Sequence, residues 1–146
     1  MGARRVRDDV GEARQVAVDD PEFLDLEDVL ELHNSGLERW GGSEGVRDQA
    51  ALEAAIAQPR ATFDGEYLHG DLFAMAAAYA FHISEAQAFI DGNKRAALLA
   101  AVVFLDINGF RLPEPEDVMY LAMMEIAERK MTKAQLANLL RDLAGL

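Results

Sequence analysis

Apolar residues recur at helical spacing through most of the chain. Leu26, Val29, Leu30, Leu32 and Leu37 line one side of a segment from about Asp25 to Trp40, the pattern of an amphipathic helix. Gly41-Gly42 stops it. Asp48 is placed to cap a second helix through Ala57, which ends ahead of Pro59. Residues 60–70 carry turn residues and little helical period, so they read as a loop or short hairpin. Asp71 caps the next helix, whose inner side carries Leu72, Met75, Ala76, Tyr79 and Ile83.

A break follows over residues 88–92, and then a segment from Asn93 to Ile107 that is apolar almost all round. A helix without a polar face belongs at the centre of a bundle. Asn108-Gly109 closes it as a C-cap pair. Pro113 and Pro115 mark a loop, a helix runs from about Glu116 to Lys130, and Thr132 with Gln135 forms a capping box for a last helix to about Leu143. Strand signals are almost absent. The expectation is an all-α, compact six-helix bundle around a buried central helix at about residues 93–107, in one domain over 21–146. Residues 1–20 are charged, mixed in sign and poor in large apolar groups, and read as an N-terminal arm.

Composition narrows the chemistry. The chain has no cysteine, which removes disulfides, thiolate metal sites and a Cys nucleophile. Its net charge is −12, from 14 Lys+Arg against 26 Asp+Glu. A surface of that sign repels nucleic acid backbones, so direct nucleic acid binding is not expected. No apolar run reaches the roughly 18 residues of a membrane span, and the first residues lack the apolar core of a secretory signal. The expected location is the cytoplasm.

The chemistry concentrates in Gln87-Ala88-Phe89-Ile90-Asp91-Gly92-Asn93-Lys94-Arg95, which opens the central helix. A helix N-terminus presents unpaired N–H groups and the positive end of the macrodipole. Gly92 lets the backbone turn and approach a ligand, successive N–H groups form an anion nest, and Lys94 and Arg95 add positive charge. This is a phosphate site in the making. Asp91 puts a hard carboxylate beside it, the usual Mg²⁺ ligand next to phosphates. Taken singly, the residues have plainer readings. Asp91 alone is an N-cap, Gly92 and Asn93 are turn residues, and Lys94 and Arg95 are solvated charges.

The contiguous string resembles the signature of the Fic/Doc (death-on-curing) family, in which His-x-Phe-x-Asp/Glu-Gly/Ala-Asn precedes a basic pair or Gly-Arg. Lys94 after Asn93 is similar to the Doc branch. So are Phe23-Leu24, Trp40-Gly41-Gly42, Gly45-Val46-Arg47-Asp48, Asp71-Leu72-Phe73 and Phe104-Leu105-Asp106-Ile107-Asn108-Gly109. The resemblance implies the six-helix fold, ATP as nucleotide and Mg²⁺ as cofactor. It implies a toxin paired with a Phd-like antitoxin, transferring the terminal phosphate of ATP to a hydroxyl of elongation factor Tu; the Fic branch transfers AMP instead. By position, Asp91 would hold Mg²⁺, Gly92 and Asn93 would form the nest, Lys94 and Arg95 would contact phosphates, and residues 60–70 would form the flap that aligns the target.

One departure matters. The family's general-base His falls at Gln87, and Ala88 replaces the common Pro. Glutamine has no pKa in the useful range, so it orients a hydroxyl without taking its proton, and losing a base costs about 10²–10⁴-fold in rate. Of the three histidines, His33 is expected to pack inside the first helix. His82 lies five residues upstream of Gln87, about 140° round a helix. His69, in the flap-like segment, is the candidate substitute base. Besides phosphotransferase and AMP transferase, the string admits a nucleotide-binding pseudoenzyme or an antitoxin-bound regulatory module.

Overall fold

The computed structural model describes residues 21–146; the arm expected over residues 1–20 lies outside them. Six helices follow in order: α1 (Leu26–Trp40), α2 (Gln49–Ala57), α3 (Leu72–Ala86), α4 (Asn93–Ile107), α5 (Glu116–Ala127) and α6 (Lys133–Leu143). A single 3-10 turn, Gln58–Arg60, extends α2, and β1 (Thr62–Phe63) pairs antiparallel with β2 (Glu66–Tyr67). The segment expected as a loop or short hairpin over residues 60–70 therefore holds a short hairpin at residues 62–67. The all-α bundle expected from the sequence is the observed fold.

Local chemistry sets the helix ends. Asp25 and Thr132 close reciprocal capping boxes with Asp28 and Gln135. Asp48 accepts from the Ala51 N–H at 3.0 Å and Asp71 from the Ala74 N–H at 2.8 Å. Each such bond satisfies an otherwise orphaned donor. Gly109, at φ 102°, ends α4: its own N–H reaches the Asp106 carbonyl and the Phe110 N–H reaches back to Leu105. α5 is shorter than its apolar pattern suggests. The same closure forms on Arg129, at φ 63°, with the Lys130 N–H bonded to the Glu125 carbonyl at 2.8 Å, so the helix stops at Ala127.

The core lies where α3 and α4 meet. Ala76, Ala77, Ala80, Ala97, Ala100 and Ala101 are fully buried, and their small side chains let the two backbones pack closely. α1 and α5 flank α4, while α2 and α6 flank α3. Tyr79, fully buried, donates to the Leu24 carbonyl and accepts from the Leu24 N–H at 2.8 Å. Burial pushes its pKa up to about 12, so it stays a neutral donor. Asn108 holds the same leading segment through both backbone groups of Glu22. Asp71 carries a second bond besides its cap, a 2.7 Å ion pair with Arg141 that ties α3 to α6.

This frame delivers the N-terminus of α4 to the surface. Phe89 is fully buried and anchors the α3–α4 connection. On one side of it lies Gln87, and on the other lie Asp91 to Arg95.

Candidate active site

The loop after α1 holds the α3–α4 connection from outside. The Ile90 N–H donates to the Gly45 carbonyl at 3.0 Å, and the Arg47 and Asp48 N–H groups both reach the Ala88 carbonyl. The Arg47 guanidinium also donates to the Gln87 carbonyl. His33, buried on α1, stacks on Phe89 with centroids 3.7 Å apart, and its Nε2 bonds the Asp91 carbonyl at 2.8 Å. His33 thus packs, as its place in a helix suggested, and it also fixes the turn.

Asn93 braces that turn from within. Its Oδ1 accepts the Phe89 N–H and its Nδ2 donates to the Phe89 carbonyl, both at 3.0 Å. Gly92, at φ 79°, is the N-cap of α4 and offers no side chain to the helix. Its positive φ disfavours any side chain, and a Cβ there would already be in contact with His33, 3.4 Å from Nε2. Where α1, α2, α3 and α6 are closed by Asp or Thr, the first-turn N–H groups of Asn93, Lys94 and Arg95 have no acceptor among the described residues.

Asp91 does not cap α4. Its Oδ1 accepts the adjacent Gly92 N–H at 2.9 Å and its Oδ2 accepts the Ser43 N–H at 3.1 Å. The carboxylate is thereby held at the edge of the free N–H groups rather than on them, which corrects the plain N-cap reading. Because the Gly92 N–H is spent on Asp91, the free donors begin at Asn93. Gly42, at φ 125°, backs the carboxylate so closely that a Cβ there would lie 3.0 Å from Asp91 Oδ2.

These residues line one open pocket of about 450 Å³ with Trp40, Gly41, Gly42, Gln87, Ile90, Lys94, Arg95 and Tyr120. The motif residues singled out from the sequence for chemistry, Gln87 and Asp91 to Arg95, therefore share one pocket. Arg95 lies between the Trp40 and Tyr120 rings, 4.2 and 4.1 Å from their centroids. Neither Lys94 nor Arg95 has a carboxylate partner among the described residues. In a chain of net charge −12, these two cations lie beside helix N–H groups that have no cap among the described residues, which makes the local potential positive.

Gln87 ends α3 in the left-handed region, at φ 49° and ψ 40°. Its Nε2 donates back to the Ser84 carbonyl at 2.8 Å. The amide oxygen remains as an acceptor that cannot become a base at neutral pH.

No histidine replaces it. His69 and His82 both converge on Lys133, each with Nε2 3.1 Å from its Nζ. The expectation that His82 faces away from Gln87 holds, and the candidacy of His69 as substitute base fails: its ring is engaged at the start of α6. Burial first, and the Lys133 charge second, hold both imidazoles below their ordinary range, His82 at about 4.

Among the described residues, no three His, Asp or Glu side chains group to hold a metal ion, and no helix is long and apolar enough to cross a membrane. Asp91 is the one carboxylate lining the pocket. A single carboxylate suits Mg²⁺ that keeps its waters and shares phosphate oxygens.

Sequence reasoning missed Trp40, Tyr120 and His33 as parts of this site. Trp40 and Tyr120 are separated from the motif by whole helices; Trp40 carried a signal only as part of Trp40-Gly41-Gly42, and nothing in the sequence marked Tyr120.

Comparison with known proteins agrees with this geometry. The model of the Fic/DOC family matches residues 23–105. Toxin Doc of Mycolicibacterium smegmatis is 40% identical over 126 residues, spanning 85% of this chain and 92% of that protein. Protein kinase doc of Escherichia phage P1 is 34% identical over 122 residues, spanning 82% of this chain and 93% of that protein. From the motif at the head of α4, the six-helix frame that presents it and these matches, the chain belongs to the Fic/Doc family.

Proposed function

We propose that this chain is a Doc-type toxin of a toxin–antitoxin module, using ATP and Mg²⁺ to move a terminal phosphate onto a protein hydroxyl. The observation that carries the reading is the uncapped start of α4, where three free N–H groups meet Lys94 and Arg95. The charge and donor pattern fits a polyphosphate. The name of the phage relative, protein kinase doc, supports phosphate transfer over AMP transfer.

In this reading Arg95 and Lys94 neutralise phosphate oxygens, and the N–H groups of Asn93 to Arg95 orient them. Asp91 would hold Mg²⁺, which when bound spreads the charge that develops on the phosphates. Gln87 Oε1 accepts a hydrogen bond from the incoming hydroxyl and aligns it. The proton leaves to water, without a protein base, so the rate is lower than in a site with His at that position. The target is a hydroxyl on a translation factor of the elongation factor Tu type, and a Phd-like antitoxin restrains the protein. The partner reading follows from the relative named as a toxin.

Gln87 favours one second reading, a pseudoenzyme that binds nucleotide without transferring it. Incubation with Mg²⁺, elongation factor Tu and ATP labelled at either the γ or the α phosphate separates the alternatives. Transfer of the γ label is the expected result. Transfer of the α label means AMP transfer, and nucleotide binding with no transfer to any hydroxyl means a pseudoenzyme.

A further inference from the structure

Arg95 and Arg39 lie on the same aromatic residue but are treated differently. Arg39 sits 4.4 Å from the Trp40 ring and has Glu116 3.9 Å away. Arg95 sits 4.2 Å from Trp40 and 4.1 Å from Tyr120, with no carboxylate and no hydrogen-bond acceptor among the described residues. A guanidinium has two flat faces and five N–H donors in its plane. With its Cζ about equally close to both ring centroids, a guanidinium held by its faces would keep its in-plane donors for a ligand. Arg95 lines the same pocket as Asp91 and the first turn of α4.

Three elements converge to make this arrangement: Trp40 ends α1, Arg95 is in the first turn of α4, and Tyr120 is on α5. Gly36 of α1 faces this junction: a Cβ there would lie 3.7 Å from both Arg95 Cβ and Trp40 Cε3, in ordinary contact. A long side chain loses rotamer freedom when it binds a ligand. Contact with two rings restricts that freedom before a ligand arrives.

We propose that Trp40 and Tyr120 are positioning residues that clamp the Arg95 guanidinium and thereby set its affinity for a phosphate; the inference rests on the phosphate reading of the pocket. The clamp is selective for arginine. Lysine keeps the charge but has no flat face to hold, so the rings cannot orient it.

The test is calorimetric titration of the full chain with inorganic triphosphate, which has no base or sugar to touch either ring. Tyr120→Leu and Trp40→Leu should each weaken binding about tenfold, while Tyr120→Phe and Trp40→Phe stay within about twofold of wild type. In an Arg95→Ala background, Tyr120→Leu should cause no further loss, because the ring acts only through Arg95. Arg95→Lys, which leaves both rings in place, should bind about as weakly as Arg95→Ala and should alter the emission of Trp40, the single tryptophan. Wild-type affinity in the leucine variants, additive loss in the double variant, or full affinity in Arg95→Lys overturns the clamp. If wild type itself does not bind triphosphate, the phosphate reading fails and takes the clamp with it, a result distinct from unchanged binding.

Discussion

Asn93 and Phe89 are joined through both of their polar ends: the Asn93 amide accepts from the Phe89 N–H and donates to the Phe89 carbonyl, each at 3.0 Å. The side chain thus completes a turn that the backbone alone leaves open. Asn93→Ala should strip both partners from a buried residue, lowering stability by about 1–3 kcal/mol and weakening triphosphate binding. Asn93→Asp keeps the acceptor, loses the donor and adds a negative charge to an anion site. It should bind triphosphate more weakly than Asn93→Ala. Thermal melts and titrations check both, and equal binding by the two variants would count against an anion site here.

Arg95→Ala removes from the pocket a cation that has no carboxylate partner among the described residues. A charge-assisted hydrogen bond contributes about 1.5–3 kcal/mol, so nucleotide affinity should fall about 10- to 100-fold. Calorimetry with ATP and Mg²⁺ reads this directly; unchanged affinity would mean that the phosphates bind elsewhere.

Gln87→His restores a group able to take a proton. The backbone there is left-handed, at φ 49°, a region His enters more readily than most residues. The substitution should therefore leave the fold intact and raise phosphate transfer about 10²- to 10⁴-fold. Labelled-ATP transfer to the target measures it. No gain would show that another feature of the pocket limits the reaction.

His69 and His82 make the protein sensitive to acid through their shared contact with Lys133. Both are neutral acceptors of the Lys133 ammonium, with pKa values lowered by burial and by that charge. A lowered folded pKa means that the unfolded chain binds the proton more readily. The stabilisation is thus whole above pH about 6.5 and is lost as pH falls toward the His82 value of about 4. Because carboxylates also titrate there, the comparison to make is wild type against His82→Gln. Their difference in melting temperature should shrink as pH falls through that window. A His82 imidazole titrating near its ordinary value by NMR would contradict the arrangement.

The fold was legible because its signals are local. The apolar periods of α1, α3 and α4, the caps at Asp48, Asp71 and Thr132, and the Asn108-Gly109 stop each act within a few residues. α5 ends early because a left-handed Arg129 closes it, and no residue type advertised that. The pocket was half legible. Asp91 to Arg95 is contiguous and readable, and Gln87 announced its own deficit. What Asp91 does depends on Ser43 and Gly42, far away in the chain. The aromatic pair on Arg95 depends on how three helices meet. The tie between His69, His82 and Lys133 spans α3, the hairpin segment and α6, and no spacing along the chain foretells it.

The most direct test of the central claim is to follow backbone amide resonances by NMR while adding ATP and Mg²⁺. An anion bound at the head of α4 should shift the amides of Asn93, Lys94 and Arg95 most, with Gly92 and the Arg95 side chain close behind. Binding that left those three amides unmoved while shifting others would contradict the account.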